Sequence, residues 1–183
     1  MTRLQVPPAL ADILLQPHYD PATVFEAVLP LLGEILSYDR CFLYLRHPKT
    51  RWGQIAACWR RSDVIPDLAD RTWKQEDSSQ LEDQDPLFAA ALACQSDIYV
   101  DDIDTASPTT INLAYERQYF GHRALAHIHI TRYDELWGIL EPAVFDHPRG
   151  WEQFDRSVLG YTREHLLPLI INYVESHHPE ETH

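Results

Sequence analysis

The chain has 183 residues, of which 45% are hydrophobic, enough for one ordinary domain with a sizeable core. Its 28 acidic and 15 basic residues give a formal net charge of −13, which repels phosphate backbones and anionic lipids, so nucleic acid is a poor candidate partner. No apolar stretch reaches the roughly 20 residues of a membrane-spanning helix, and no signal-peptide pattern opens the chain. The sequence therefore predicts a cytoplasmic protein without membrane insertion.

The first half of the chain predicts a helix followed by a hairpin. Asp20 before Pro21 is a helix-start signal, and apolar residues recur at helical spacing over 21–37, with a kink expected at Pro30. The runs 40–45 and 53–59 predict two strands joined by a turn. The polar, acidic stretch 60–85, with a helical tendency around 63–70, predicts a long excursion that covers a site.

The second half continues the alternation of helices and strands. Asp85 before Pro86 repeats the helix-start signal, and 98–100 predicts a short strand. A connecting helix over 112–119 precedes two strands, 124–131 and 136–145, and a long closing helix runs from Trp151 to Val174.

The order α-ββ-α-β-α-ββ-α predicts an α+β sandwich. We expect a central antiparallel sheet of five or six strands, with the first and last helices on one face and the crossing segments on the other. Residues 1–19 are expected to form an N-terminal segment, 20–176 the domain, and 177–183 a flexible tail.

Three motifs carry a resemblance to a known family. The run LWGIL at 136–140, followed by HPRGW at 147–151, resembles the "LWGLL … PRxW" stretch of phytochrome and cyanobacteriochrome GAF domains. YDRCFLY at 38–44 resembles the family's "aDRvlvY" first strand, and 91–103 resembles its "alatgqpv.vdDi" segment. The match extends from about residue 20 to 176 in the family's order. The resemblance implies the GAF fold and a phytochrome-like relationship.

The chain departs from the family's pattern where a bilin would be attached. Bilin-binding members carry a Cys-His pair about ten residues before a "VrAnLvvPI" stretch, which corresponds here to 122–130. Asn112 and Leu113 then occupy the positions of the pair, and 76–88 contains no second cysteine. The resemblance therefore implies no covalent bilin and no cofactor, while noncovalent retention of a tetrapyrrole stays open.

The strand at 124–131 places two histidines on one face. Leu125, His127 and His129 alternate with an apolar set that should face the helices. On the neighbouring strand Trp137, Ile139, Glu141 and Ala143 are expected to share the histidine face. The candidate ligand pocket comprises Leu125, His127, His129, Ile139, Glu141 and Asn112.

Two chemistries fit the histidine face. His127, His129 and Glu141 match the two-His, one-carboxylate pattern of a metal site, and an axial haem histidine is a further alternative. A hydrogen-bonded His–Glu cluster without metal is the plainer interpretation and the one predicted here.

The chain lacks recognisable catalytic motifs: there is no GxSxG elbow, glycine-rich phosphate loop or HExxH. Three scattered cysteines, Cys41, Cys58 and Cys94, fit buried reduced thiols rather than a disulfide framework. We therefore expect no enzyme, but a non-catalytic adaptor, regulatory or assembly factor that acts through a protein partner in trans. The alternative is a sensor that binds a small molecule, metal or tetrapyrrole noncovalently. Analogy with the cyanobacteriochrome branch suggests a photosynthetic host.

Apolar residues outside the main helical stripes predict assembly. Such residues exceed what one sheet face can cover, so we expect a homodimer or a hetero-complex formed through the first and last helices. The residues are Leu29, Leu31, Leu36, Leu159, Leu167 and Ile171.

Overall fold

The computed structural model describes residues 6–17, 19–77 and 81–179. Its strands are β1 (Arg40–Arg46), β2 (Trp52–Arg60), β3 (Asp70–Gln75), β4 (Ile98–Val100), β5 (Ala124–Arg132) and β6 (Glu135–Val144). They form one sheet in the order β3-β2-β1-β6-β5-β4, and every neighbouring pair is antiparallel. The predicted α+β fold with an antiparallel sheet is confirmed.

The helices divide between the two faces of this sheet. They are α1 (Pro8–Leu14), α2 (Pro21–Leu36), α3 (Leu81–Gln84), α4 (Pro86–Leu92), α5 (Leu113–Tyr119) and α6 (Gln153–His177). Helices α2 and α6 pack together on one face, as predicted for the first and last helices, and α1 packs against them. Helix α4 lies on the opposite face, over β6. None of the helices in the described ranges has the length and apolar composition needed to span a bilayer.

The large core lies on the α2/α6 face because apolar side chains alternate along the central strands. Leu43, Ile128 and Leu140 point into it and meet Leu32 of α2 and Ile170 of α6, all fully buried. Two smaller apolar clusters occupy the other face, one around Leu87, Val100 and Leu125 and one around Phe88 and Ile139. The main hydrophobic stabilisation of the fold therefore comes from one side of the sheet.

Several sequence expectations for individual elements are wrong. Residues 63–70 contain no helix, and the same excursion supplies β3, an edge strand that pairs with β2. Both faces of β3 are largely exposed, so its sequence is polar and lacks the apolar alternation that predicts a strand. Helix α1 lies within the N-terminal segment 1–19, for which no element was predicted. The tail prediction for 177–183 falls mostly outside the described residues; within them, His178 stacks on His47 with ring centroids 4.0 Å apart.

A β-bulge corrects the predicted face of Trp137. Ile130 pairs with Gly138 and Thr131 with Leu136, so Trp137 is the extra residue on β6. Its side chain joins the helix-side core, whereas Ile139 remains on the opposite face. A glycine at position 138 is favoured for a separate steric reason, because a Cβ there would lie 2.6 Å from the carbonyl oxygen of Tyr44 on β1.

The premise of the assembly prediction is also partly wrong. Leu29, Leu36 and Leu159 are buried within the fold, and Leu10 and Leu14 of the unexpected α1 add to the same core. The remaining three residues, Leu31, Leu167 and Ile171, are partly buried against it. Assembly therefore stays a prediction with a smaller apolar surface to support it.

Candidate functional site

A cavity of about 190 Å³ lies on the face of the sheet opposite α2 and α6. Its walls are mainly aromatic and aliphatic, and two carboxyl groups and one imidazole interrupt them. The lining residues are Phe42, Tyr44, Ile55, Leu81, Asp85, Phe88, Tyr115, Phe120, His127, Ile139 and Glu141. Five of the lining residues are partly exposed: Tyr44, Ile55, Leu81, Tyr115 and Phe120.

Strand alternation and pairing position the floor of the cavity. Phe42 and Tyr44 of β1 face the cavity, whereas Cys41 and Leu43 between and beside them face the helix-side core. Phe42 pairs with Glu141 across β1 and β6. A carboxyl is thus fixed on a central strand of the sheet rather than on a mobile loop.

Asp85 closes one side of the cavity as the N-cap of α4. Its Oδ1 accepts hydrogen bonds from the backbone N–H groups of Leu87 and Phe88, at 3.0 and 3.2 Å. Burial, and next the nearby Glu116 carboxyl, raise the pKa of Asp85 to about 7.

Glu141 is the most unusual group in the cavity. The residue is only 3% exposed, and its Oε1 accepts no hydrogen bond from any described residue. The nearest histidine nitrogens lie 3.7 Å from Oε1 (His122 Nδ1) and 3.6 Å from Oε2 (His127 Nε2). Burial, and next the Glu116 carboxyl, raise the pKa of Glu141 well above its ordinary value.

The hydrogen bonds of the two strand histidines fix their tautomers. His129 Nδ1 lies 2.8 Å from the carbonyl oxygen of Gln95, which only accepts, so this nitrogen carries a proton and donates. Burial lowers the pKa of His129, so its Nε2 is unprotonated and accepts from His127 Nδ1 at 2.9 Å. His127, whose pKa burial holds well below the ordinary value, is left with a bare lone pair on Nε2. That lone pair lies on the side of Glu141.

A second layer of buried charge lies behind the cavity. Glu116 of α5 and His122 are hydrogen-bonded at 2.8 Å, and burial raises the pKa of Glu116 to about 7 and lowers that of His122 to about 3. At pH values between about 3 and about 7, Glu116 and His122 therefore hold one proton between them. Arg40 is fully buried beside them, and its guanidinium donates to the carbonyl oxygens of Pro66 and Phe120.

The structure brings only part of the predicted pocket together. His127, Ile139 and Glu141 line the cavity, while His129 lies behind His127 and borders a separate outer cleft. Leu125 belongs to a different apolar cluster. Asn112 does not line this cavity: it caps α5 by accepting from the Tyr115 N–H at 3.2 Å, and its amide donates to the Gln84 carbonyl.

Sequence reasoning missed the acidic and aromatic parts of the site. Asp85 was interpreted only as a helix start, and Glu116, His122 and Arg40 were not singled out. Their burial depends on contacts between elements far apart in sequence, which one sequence does not reveal. The nearest signal was the polar excursion itself, which was expected to cover a site.

The histidine geometry bears on the metal alternative. The facing nitrogens of His127 and His129 are hydrogen-bonded to each other, so they do not direct their lone pairs at one common point. Across the described ranges, no group of three His, Cys, Asp or Glu residues has an arrangement that could hold a metal ion. The two rings are hydrogen-bonded to each other, whereas the predicted His–Glu hydrogen bond is not formed, since His127 Nε2 and Glu141 Oε2 lie 3.6 Å apart.

Comparisons with known proteins identify the family of the chain. The family model for the GAF domain matches residues 20–162. No curated protein sequence matches at a significant level.

Three solved structures illustrate the structural likeness. The chromophore-binding domain of the bacteriophytochrome RpBphP3 from R. palustris has a TM-score of 0.70 and 21% identity; the match covers 93% of this chain and 62% of that one. A phycoerythrobilin-bound GAF domain from a cyanobacterial phytochrome has a TM-score of 0.69 and 19% identity, with 94% and 97% coverage. The GAF domain of an Acinetobacter phosphoenolpyruvate-protein phosphotransferase has a TM-score of 0.69 and 10% identity, with 94% and 96% coverage. At these identities the likeness establishes the fold, which photoreceptor and other GAF domains share.

Proposed function

Because the chain belongs to the GAF domain family, we propose that it is a non-catalytic regulatory domain that binds a small molecule without a covalent bond. The proposed binding place is the cavity between the sheet and the α3–α5 side. The observation that carries the proposal is the buried Glu141 carboxyl, which lines the cavity with one oxygen unpartnered. An unsatisfied buried polar group costs about 1–3 kcal/mol, and a ligand that donates a hydrogen bond would recover it.

The size of the cavity favours a ligand much smaller than a bilin. Pockets for drug-sized molecules have volumes of about 300–1,000 Å³. This cavity, at about 190 Å³, is below that range. An open-chain tetrapyrrole has four rings and exceeds a drug-sized ligand, whereas a cavity of about 150 Å³ already accommodates a single benzene ring. A one-ring ligand is therefore the proposed class by size.

The absence of a covalent chromophore is part of the proposal. Asn112 and Leu113 supply no thiol at the positions that correspond to the family's attachment pair, and no cysteine is among the described residues that line the cavity. Protein coexpressed with a bilin supply should give no zinc-induced fluorescent band on a denaturing gel. A fluorescent band at the mass of the chain would overturn this part of the proposal.

The non-catalytic part rests on the state of the thiols. Burial raises the pKa of Cys41, Cys58 and Cys94 above the ordinary value, so none is predisposed to form the thiolate that a cysteine nucleophile requires. This supports a domain that binds a ligand and passes the signal to a partner, rather than one that transforms a substrate.

A library of single-ring compounds tests the binding function by thermal shift. Ile55 lines the cavity, and Ile55→Trp should fill it; Val64, which is 89% exposed, gives the matched control Val64→Trp. Compounds that bind should raise the melting temperature of the wild type and of Val64→Trp but not of folded Ile55→Trp, because only a bound ligand stabilises the native state by mass action. Circular dichroism checks that both variants fold. The proposal fails if no compound shifts the wild type or if the shifts persist in Ile55→Trp.

A protein-binding adaptor is the second candidate function. The small volume of the cavity, about 190 Å³, favours it, because the space left for any ligand is limited. An adaptor would keep its partner when the cavity is filled. A complex that forms equally with wild type and Ile55→Trp, together with a library that yields no hit, would favour this candidate.

A further inference from the structure

We infer that the cavity takes a small, flat organic cation with one aromatic ring and at least two N–H donors, such as an amidinium or a protonated aminoheterocycle. This inference rests on the proposed binding function and specifies the class of ligand. Three features of the described residues carry it: the hydrogen-bonding polarity of the floor, the balance of charge around it and the aromatic walls.

The floor of the cavity offers acceptors. Glu141 Oε1 is buried and unpartnered, and the tautomers set by Gln95 leave His127 Nε2 with a free lone pair 3.6 Å from the other oxygen of the same carboxyl, Oε2. Asp85 contributes a further carboxyl at the edge. Two acceptors on neighbouring strands complement a ligand that presents two N–H groups in one plane.

The charge around the floor is acidic. Glu141 and Asp85 line the cavity, Glu116 lies behind it, and no lysine or arginine is among the described lining residues. Arg40 is the nearest buried cation; its terminal nitrogens donate to the Pro66 and Phe120 carbonyls, and its Nε has no partner among the described residues. His122 and His127 remain neutral because they are buried. Three carboxyls, those of Glu141, Asp85 and Glu116, thus face one guanidinium, and this excess of acidic groups favours a cationic ligand and disfavours anions.

The walls suit a flat ring. Phe42 and Phe120 stack at 6.1 Å with an interplanar angle of 15°, and Phe88 meets Tyr44 edge to face at 6.2 Å. Aromatic faces attract cations within about 6 Å of their centroids. An aromatic cation would therefore gain from the walls as well as from the floor.

Proton linkage gives the inference a second signature. A bound cation favours the ionised form of Glu141 and Asp85, whose pKa values are raised in the free protein. Binding should release protons, and affinity should rise between about pH 6 and about pH 8. The groups that face the same carboxyls are Glu116 on α5, His122 in the connection before β5, His127 on β5 and Arg40 on β1. Of these, only Glu116, whose pKa burial raises to about 7, titrates in the same range.

Isothermal titration of the full chain with benzamidinium, benzamide and benzoate tests the inference. These three probes share a ring and differ in charge and donors. Benzamidinium should bind at least about tenfold more tightly than benzamide, the range expected for hydrogen bonds to a charged group, and benzoate should not bind. Titrations in buffers of different ionisation enthalpy should show proton release with benzamidinium.

Matched variants locate the effect. Glu141→Gln keeps the shape but loses the charge, and it should weaken benzamidinium binding about tenfold or more while leaving benzamide unchanged. Glu164→Gln makes the same change on an exposed position of α6 and should alter neither. Circular dichroism confirms that the variants are folded.

Each outcome decides the inference. Equal binding of benzamide and benzamidinium, or no effect of Glu141→Gln, overturns the cationic class but leaves the binding function standing. Binding by none of the three probes also overturns it, and the compound library then decides separately whether the cavity binds any small molecule.

Discussion

The two faces of the sheet differ in what the same strands place on them. Toward α2 and α6 the central strands present Leu43, Ile128 and Leu140, which are fully buried among other apolar side chains. Toward α4 and α5 they present His127 and Glu141, buried beside a cavity with incomplete hydrogen bonding. One face is built for stability, whereas the other carries buried polar groups that cost stability and are typical of ligand sites.

Because the two faces differ, truncating two adjacent side chains of β6 to alanine should cost different amounts of stability. Leu140→Ala should lower the free energy of unfolding by about 2–5 kcal/mol, because it leaves a void in a closed core. Ile139→Ala should cost at least about 1 kcal/mol less, since Ile139 already borders open space and loses fewer contacts. Urea unfolding measures both values. Equal costs would show that the two faces are packed alike.

The histidine pair tests the polar face. His129 bridges His127 and the Gln95 carbonyl, so His129→Ala should lower the free energy of unfolding by about 1–3 kcal/mol through unsatisfied partners. His177→Ala, at an exposed position near the end of α6, should have little effect.

Metal content separates the two chemistries proposed for these histidines. Elemental analysis should find no stoichiometric metal in untreated wild type, and chelator should leave its melting temperature unchanged. Stoichiometric iron or zinc, released in His129→Ala, would contradict the hydrogen-bonded cluster.

The pH dependence of stability gives the smallest expected effect. Burial raises the pKa of Glu141 well above 4.5 and lowers that of His127 well below 6.5. Between about pH 4.5 and about pH 6.5, the folded protein holds a proton on Glu141 that the unfolded chain has lost, and it lacks a proton on His127 that the unfolded chain carries. The two groups therefore change the free energy of unfolding in opposite directions as the pH rises. Above about pH 6.5 histidine is neutral in both states, and only extra carboxyl protons remain: those of Asp85 and Glu116 up to about pH 7, and that of Glu141 beyond it. Stability should then fall with rising pH, and Glu141 alone should contribute up to about 1.4 kcal/mol per pH unit.

Glu141→Gln isolates this contribution. The variant should show a shallower decline between about pH 6.5 and about pH 8, measured by urea unfolding at several pH values. Asp85 and Glu116 add to the decline in both proteins only up to about pH 7. Parallel curves for wild type and variant would mean that Glu141 ionises readily in the folded protein.

The sequence predicted the frame of the molecule better than its chemistry. The alternation of residues along β5 correctly placed Ile128 against the helices and His127 on the other face. It did so because successive side chains of a strand point to opposite faces of the sheet, whatever packs on those faces. The same rule failed at Trp137, where a bulge shifts the alternation by one residue. Strand β3 was not predicted, because an exposed edge strand does not require apolar residues at every second position.

The candidate site was only half predictable, for a physical reason. His127, Ile139 and Glu141 lie on adjacent strands, so local pattern and strand pairing bring them together. Asp85 and Glu116 are on helices that the topology carries across the sheet, and polar residues on short helices normally face solvent. Asn112 was drawn into the site by family correspondence, but its side chain is used to cap α5.

The most direct test of the account is methyl NMR of isoleucine-labelled protein titrated with a library of single-ring compounds. Ile55 and Ile139 report on the cavity, and Ile128 and Ile130 report on the helix-side core of the same sheet. The account predicts that at least one compound shifts the Ile55 and Ile139 resonances saturably and leaves those of Ile128 and Ile130 in place. A library that moves none of them, or moves all four alike, would contradict the claim that the cavity face is the ligand-binding face.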